Sequence, residues 1–119
     1  PLNWVAWHQG GFGPQALAAA KRAGVGILAI KTLAKRALAD GEERPWPKCW
    51  YVPVDEPAEV QMALNWTLSL GVTSAVSPSH AELLWLMCDA AERLSPLSDQ
   101  EREQVAARTS GLRPIFSRP

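Results

Sequence analysis

Three short apolar runs alternate with helix-like segments along this chain, and that alternation limits its fold more than any other feature. The runs are LNWVAWH at 2–8, VGILAI at 25–30 and GVTSAV at 71–76. Each is short and rich in β-branched or aromatic residues, and each reads as a strand. Between the first two, after a GGFGP loop, lies PQALAAAKRAG at 14–24. Its alanines favour helix, Pro14 suits the first turn, Lys21 and Arg22 suit the C-terminal dipole, and Gly24 fits a left-handed stop. Strand, helix and strand in that order are the parts of a right-handed crossover between parallel strands. A second helix is expected over 56–70, with Pro57 in its first turn and Asp55 as its cap. A third is expected over 81–94. A last one is opened by Ser98, with Glu101 three residues on in a capping-box pattern. Short apolar strands separated by helices are the signature of a parallel sheet covered on both sides.

Residues 31–56 break the alternation. KTLAKRALA reads as a short helix ending near Gly41, and the remainder, with Pro45, Pro47 and Pro53, reads as a loop carrying Trp46, Trp50 and Tyr51. Long irregular loops in compact domains are often functional. The tail, LRPIFSRP at 112–119, reads as extended.

At 119 residues, 1–119 suits one domain, since domains usually run roughly 100–200 residues. With 47% hydrophobic and 20% charged residues, the chain has a globular composition and not a disordered one. Twelve basic and twelve acidic residues balance. That balance argues against a nucleic-acid or membrane-surface partner, whose mark is a basic excess. No apolar run approaches the roughly 20 residues that span a bilayer. Cys49 and Cys88 are too few for a disulfide scaffold, so a reduced, cytoplasmic protein is expected. With His8 and His80 they show no zinc-ligand spacing, so no metal site is expected. The start at Pro1 reads as a boundary inside a longer sequence. Six tryptophans are many for one small core, because each ring buries on the order of 150–250 Å². Some are expected to face a partner or the missing part of a larger fold.

Four blocks in order resemble the C-terminal half of an aldo/keto reductase. LNWVAWH resembles that family's sixth strand, with Asn3, Val5 and His8 matching and Trp4 where the family has a cofactor-contacting Gln. GVGILAIKTLAKR at 24–36 resembles the seventh strand and its exit loop, with Ile30 in place of an aromatic residue that stacks on nicotinamide. ALNWTLSLGVTSAVSPS at 63–79 resembles the run into the eighth strand, and PLSDQE at 96–101 a late P-L-S-x-E-E. The resemblance implies an α/β fold: a half (β/α) barrel of three parallel strands with surrounding helices. A full barrel needs eight strands and about 250 residues. The resemblance also implies NADP as the cofactor, with contacts among Asn3, Lys31, Thr32, Ser77, Ser79 and His80. No segment matches the family's catalytic Asp, Tyr, Lys and His, which lie in its first half. The Arg that usually holds the adenosine 2′-phosphate is missing after Ser77-Pro78-Ser79-His80.

The residues themselves leave bland readings beside these. Ser77, Ser79 and His80 end a strand before a helix start, where free N–H groups and hydroxyls hold phosphate; equally, Ser79 is a helix cap. Lys31 and Thr32 follow the second strand and can face the same mouth, or a solvated surface. Residues 21–48 carry seven basic and three acidic side chains, and 55–103 carry nine acidic and two basic. That asymmetry can drive self-association. Gly10–Gly13 lacks the G-x-G-x-x-G spacing, and no G-x-S-x-G elbow is present.

The expectation is a truncated aldo/keto reductase-like protein without the family's catalytic residues. It would be non-catalytic alone and associate as a homodimer or larger homo-oligomer through its open sheet. The alternative is a fragment of a longer NADP-dependent reductase, partnered by the missing N-terminal half-barrel and contributing part of the cofactor site.

Overall fold

The computed structural model describes residues 1–118; Pro119, the end of the tail expected to be extended, lies outside them. Five helices and four short strands follow in the order α1 (Trp4–Gly10), α2 (Pro14–Ala23), β1 (Leu28–Ala29), β2 (Ala34–Ala37), β3 (Tyr51–Pro53), α3 (Pro57–Ser69), β4 (Ser74–Ala75), α4 (Ala81–Ala91) and α5 (Asp99–Arg108). The strands form two separate two-stranded ribbons. β1 pairs with β4 in parallel, Leu28 opposite Ser74 and Ala29 opposite Ala75. β2 pairs with β3 antiparallel, with a register irregularity between Ala34 and Arg36.

The expected half barrel with three parallel strands is not formed. Two of its strands exist, as β1 and β4, and they pair in parallel. The first, at 2–8, is helix α1. The reason lies in Asn3 and Gly11. The Asn3 side-chain oxygen accepts from the Val5 and Ala6 N–H groups, an N-cap, and Gly11 stands in the left-handed conformation (φ 59°) at the C-cap. Trp4, Val5 and Ala6 are all buried, so tertiary packing on every side replaces the alternation expected of a half-buried strand. The expected helix KTLAKRALA is also overturned, because residues 34–37 form β2. Lys31 takes a positive φ of 69°, which stops a helix from starting there. The Asn3 amide then donates to the Lys31 and Ala34 carbonyls, the groups a helix would use internally. Good helix formers yield to that tertiary anchor.

The later helices lie where the sequence places them. α5 carries the full capping box: Ser98 Oγ accepts from the Glu101 N–H (3.2 Å), and Glu101 accepts from the Ser98 N–H (2.7 Å). α3 is the central element of the core. Its Val60, Ala63, Leu64 and Trp66 are buried in one cluster with residues of α1, α4 and α5, and Leu33 and Val54, which flank the strands of the antiparallel ribbon, have no exposed surface in the same cluster. A smaller cluster of Leu2, Leu17 and Ala29 ties α2 to the inner face of β1.

Candidate functional site

The parallel register sets the C-terminal ends of β1 and β4 side by side. Lys31 and Thr32 follow the first, and Ser77, Ser79 and His80 the second. A loop before β3 touches both groups. The Lys48 N–H donates to His80 Nε2 (3.1 Å), and the Trp46 indole packs edge-on against the His80 ring, centroids 5.0 Å apart. Trp46 Nε1 in turn donates to Asp55 (3.0 Å). On the other side, Lys31 Nζ lies 4.8 Å from the Tyr51 ring centroid and 5.3 Å from that of Trp50, a cation–π corner made by two perpendicular rings. Burial, with Cys49 beside it, pushes the Tyr51 phenol up from its ordinary value. The loop between the β2 and β3 strands is anchored by a two-pronged Arg36–Glu42 ion pair at 2.7 Å. Glu42 also accepts from the Ala39 N–H. The Arg36 hydrogen bonds, then the Ala39 one, hold the Glu42 carboxyl down to about 2.

The six residues expected at a cofactor mouth divide. Asn3 is buried, and its amide has both oxygen lone-pair positions and both N–H groups engaged by the backbone of Val5, Ala6, Lys31 and Ala34. It has nothing left to offer a ligand and acts as a stitch between α1 and the turn after β1. Thr32 has no exposed surface, and its hydroxyl reaches only the Ala29 carbonyl at 3.5 Å. Lys31, Ser77, Ser79 and His80 all retain exposed surface at the shared strand end. The helix cap of α4 is His80, not Ser79, and no side chain bonds the first N–H groups of that helix. Among the described residues no three His, Cys, Asp or Glu side chains gather as a metal would require.

A second feature is larger and went unseen in the sequence. In a parallel pair, opposed residues share a face, so Leu28 and Ser74 lie on one face and Ala29 and Ala75 on the other. Ala29 is buried on the core side, whereas Leu28 is 67% exposed and Ile30 and Val76 are each 40% exposed. One face of the parallel ribbon is therefore bare and apolar. Both of its edges carry outward backbone groups, although the Leu2 N–H takes the Ile30 carbonyl on the β1 side (3.2 Å). The Ser74 and Val76 N–H groups donate inward to Ile27 and Ala29, so the N–H and C=O of Ala75 and Leu28 project outward on opposite sides. Beside β4 an apolar groove of about 510 Å³ runs between the strand, Leu64 and Leu68 of α3, and Leu84 and Met87 of α4. Beside β1 a groove of about 340 Å³ opens between the strand and Ala16, Leu17 and Ala20 of α2. The exposed thiol of Cys88 lines the first groove, and α4 also carries the exposed Trp85. Periodicity identified these strands. Which face the core would cover is a tertiary fact that a four-to-six-residue apolar run does not carry.

Comparison with protein-family models, curated proteins and solved structures finds no match. The aldo/keto reductase resemblance accordingly rests on the four sequence blocks, of which the first is helical here. No described helix is long and apolar enough to cross a membrane.

Proposed function

We propose that this chain is a non-catalytic α/β module that self-associates through its open parallel ribbon. The observation that carries this reading is the bare apolar face of Leu28, Ile30 and Val76, flanked by the outward backbone groups of Leu28 and Ala75. Parallel strands are almost always covered on both faces, and a two-stranded ribbon is marginal by itself. Free edges with apolar flanks are templates for another chain. Trp50 and Trp85, exposed at 44% and 65%, fit the same reading, since large aromatics are enriched at interfaces. The two free cysteines, one buried and one exposed, favour a reducing compartment, the cytoplasm. Sedimentation velocity tests the reading. The wild-type chain is expected to associate with rising concentration and Leu28→Asp/Val76→Asp to stay monomeric. A wild-type chain that remains monomeric to hundreds of micromolar contradicts it.

A second reading is favoured by one observation, the shared strand end that gathers Lys31, Ser77, Ser79 and His80. Here the chain is a piece of a longer NADP-dependent reductase, supplying part of a phosphate-binding mouth. An NADPH titration followed by tryptophan fluorescence tests it. Saturable micromolar binding, weakened by Ser79→Ala/His80→Ala, supports this reading, and no binding to millimolar concentration removes it.

A further inference from the structure

The connection from β2 to β3 has few means of holding its own backbone in place. Pro45 and Pro47 have no N–H to give. Among the described residues, the Lys48 N–H is the only backbone donor engaged over 43–48, and its acceptor is His80 Nε2 at 3.1 Å. The His80 ring also meets the Trp46 indole, with centroids 5.0 Å apart and planes at 71°. His80 is the N-cap residue of α4, so these contacts tie the Trp46–Lys48 turn to the head of that helix. Two further anchors lie to either side. Trp46 Nε1 donates to Asp55 (3.0 Å), and Cys49 is buried in the main core.

A ring nitrogen that accepts from an N–H carries no proton itself. Neutral imidazole has one donor and one acceptor nitrogen, whereas imidazolium has two donors and no acceptor. Turning the charged ring over therefore restores no partner for Lys48. Protonation would set an N–H of the ring against the Lys48 N–H. It would also add positive charge beside the positive end of the α4 dipole. The charged groups on the elements around the ring are Lys48 on the loop, Asp55 behind Trp46, Glu82 in the first turn of α4 and Lys31 after β1. Among the described residues no carboxylate forms an ion pair with His80 that would offset the added charge.

We propose that His80 is a proton-operated latch. Neutral, it holds the Trp46–Lys48 turn on the head of α4; with a second proton it lets the turn go. Imidazole is the side chain that ordinarily changes charge between pH 5 and 8, so the latch works in that range. Trp46 stays tied to Asp55 and Cys49 stays in the core. The movement is thus confined to the backbone around Pro47 and Lys48, and it frees His80 beside Ser77 and Ser79.

An NMR titration of the intact chain from pH 8 to pH 5 tests the latch, following the His80 ring and the Lys48 amide together. The Lys48 amide shift is expected to move with the same midpoint as the His80 ring. Its protection factor against hydrogen exchange should fall at least about fivefold, as befits the loss of one hydrogen bond. Neither of two variants should show this transition. His80→Gln offers an oxygen that accepts without titrating and keeps Lys48 protected throughout, and His80→Ala leaves Lys48 unprotected throughout. His8, the other imidazole, remains in both. A Lys48 transition that persists in either variant overturns the proposal, because another group then drives it. A wild-type Lys48 amide that stays unchanged while the His80 ring titrates overturns it with no substitution at all.

Discussion

In the β2–β3 ribbon, Leu33, Ala34 and Val54 have no exposed surface and Tyr51 has 3%; in the β1–β4 ribbon, Leu28 has 67% and Ile30 and Val76 have 40% each. Both ribbons are two strands wide. The antiparallel one packs on α1 and α3, and even its edge is engaged, because the Ala37 N–H donates to the Arg113 carbonyl of the C-terminal tail (2.8 Å). The parallel one is covered on a single face and leaves the backbone groups of Leu28 and Ala75 directed outward, although the Leu2 N–H takes the Ile30 carbonyl on the β1 side. The hydrophobic effect is satisfied within one copy at the first ribbon and left incomplete at the second. Stability therefore resides around β2, β3 and α3, and the proposed self-association around β1 and β4.

Leucine truncation on the two ribbons gives the widest contrast. Leu33→Ala is expected to cost about 2–5 kcal/mol, because it opens a cavity in a fully packed site. Leu28→Ala in the dilute monomer should stay within about 0.5 kcal/mol of wild type. Urea unfolding of both variants checks the pair, and equal losses would dissolve the distinction between the ribbons. Asn3→Ala comes next, at about 2–3 kcal/mol, since it leaves buried N–H and C=O groups unpaired where α1 meets the turn after β1. Thermal unfolding measures it, and a loss under half a kilocalorie would mean that the stitch is not structural.

Smaller effects sharpen the link between the ribbons at Lys31. Lys31→Ala keeps the positive φ and loses the contacts to Trp50 and Tyr51, costing about 0.5–1 kcal/mol. Lys31→Gly loses the same contacts and relieves the backbone, so it should be about 1 kcal/mol more stable than Lys31→Ala. Chemical denaturation of the two variants gives the order, and the reverse order would mean that the left-handed backbone carries no strain. The smallest effect is pH-dependent. The Glu42 carboxyl is held down to about 2 from its ordinary 4.5, by Arg36 first and by the Ala39 N–H. A lowered carboxyl favours the fold above pH 4.5, and that contribution is lost as pH falls through about 2. Carbon-detected NMR titration should show the Glu42 carboxyl protonating near pH 2 and the 37–42 turn loosening with it. The parallel ribbon should be unaffected.

Four helices were legible, three of them because their ends are written in local chemistry: Pro14 and Gly24 for α2, Pro57 for α3, and the Ser98–Glu101 box for α5. The parallel strands were legible as apolar runs. α1 was not, since three consecutive buried residues, Trp4 to Ala6, obey neither a strand nor a helix period, and Asn3 signals its cap only once a helix is assumed. β2 was not, since Lys31-Thr32-Leu33-Ala34-Lys35-Arg36 is made of good helix formers. Its conformation is decided by the Lys31 backbone, by the bonds from the distant Asn3 at the start of α1, and by pairing with β3. Of the expected mouth, Lys31, Ser77, Ser79 and His80 follow the C-terminal ends of the paired strands β1 and β4. Asn3 and Thr32 are drawn into the interior by hydrogen bonds and burial that no spacing encodes.

The outward backbone groups of the parallel ribbon give the most direct test of the central claim, that its edges are completed by another copy. Amide hydrogen exchange at Leu28 and Ala75, read by NMR in dilute and concentrated samples, measures this with no substitution at all. The account predicts fast exchange at both amides in dilute solution and marked protection at high concentration, while Ala37 stays protected throughout. Fast exchange of Leu28 and Ala75 at every concentration would contradict it.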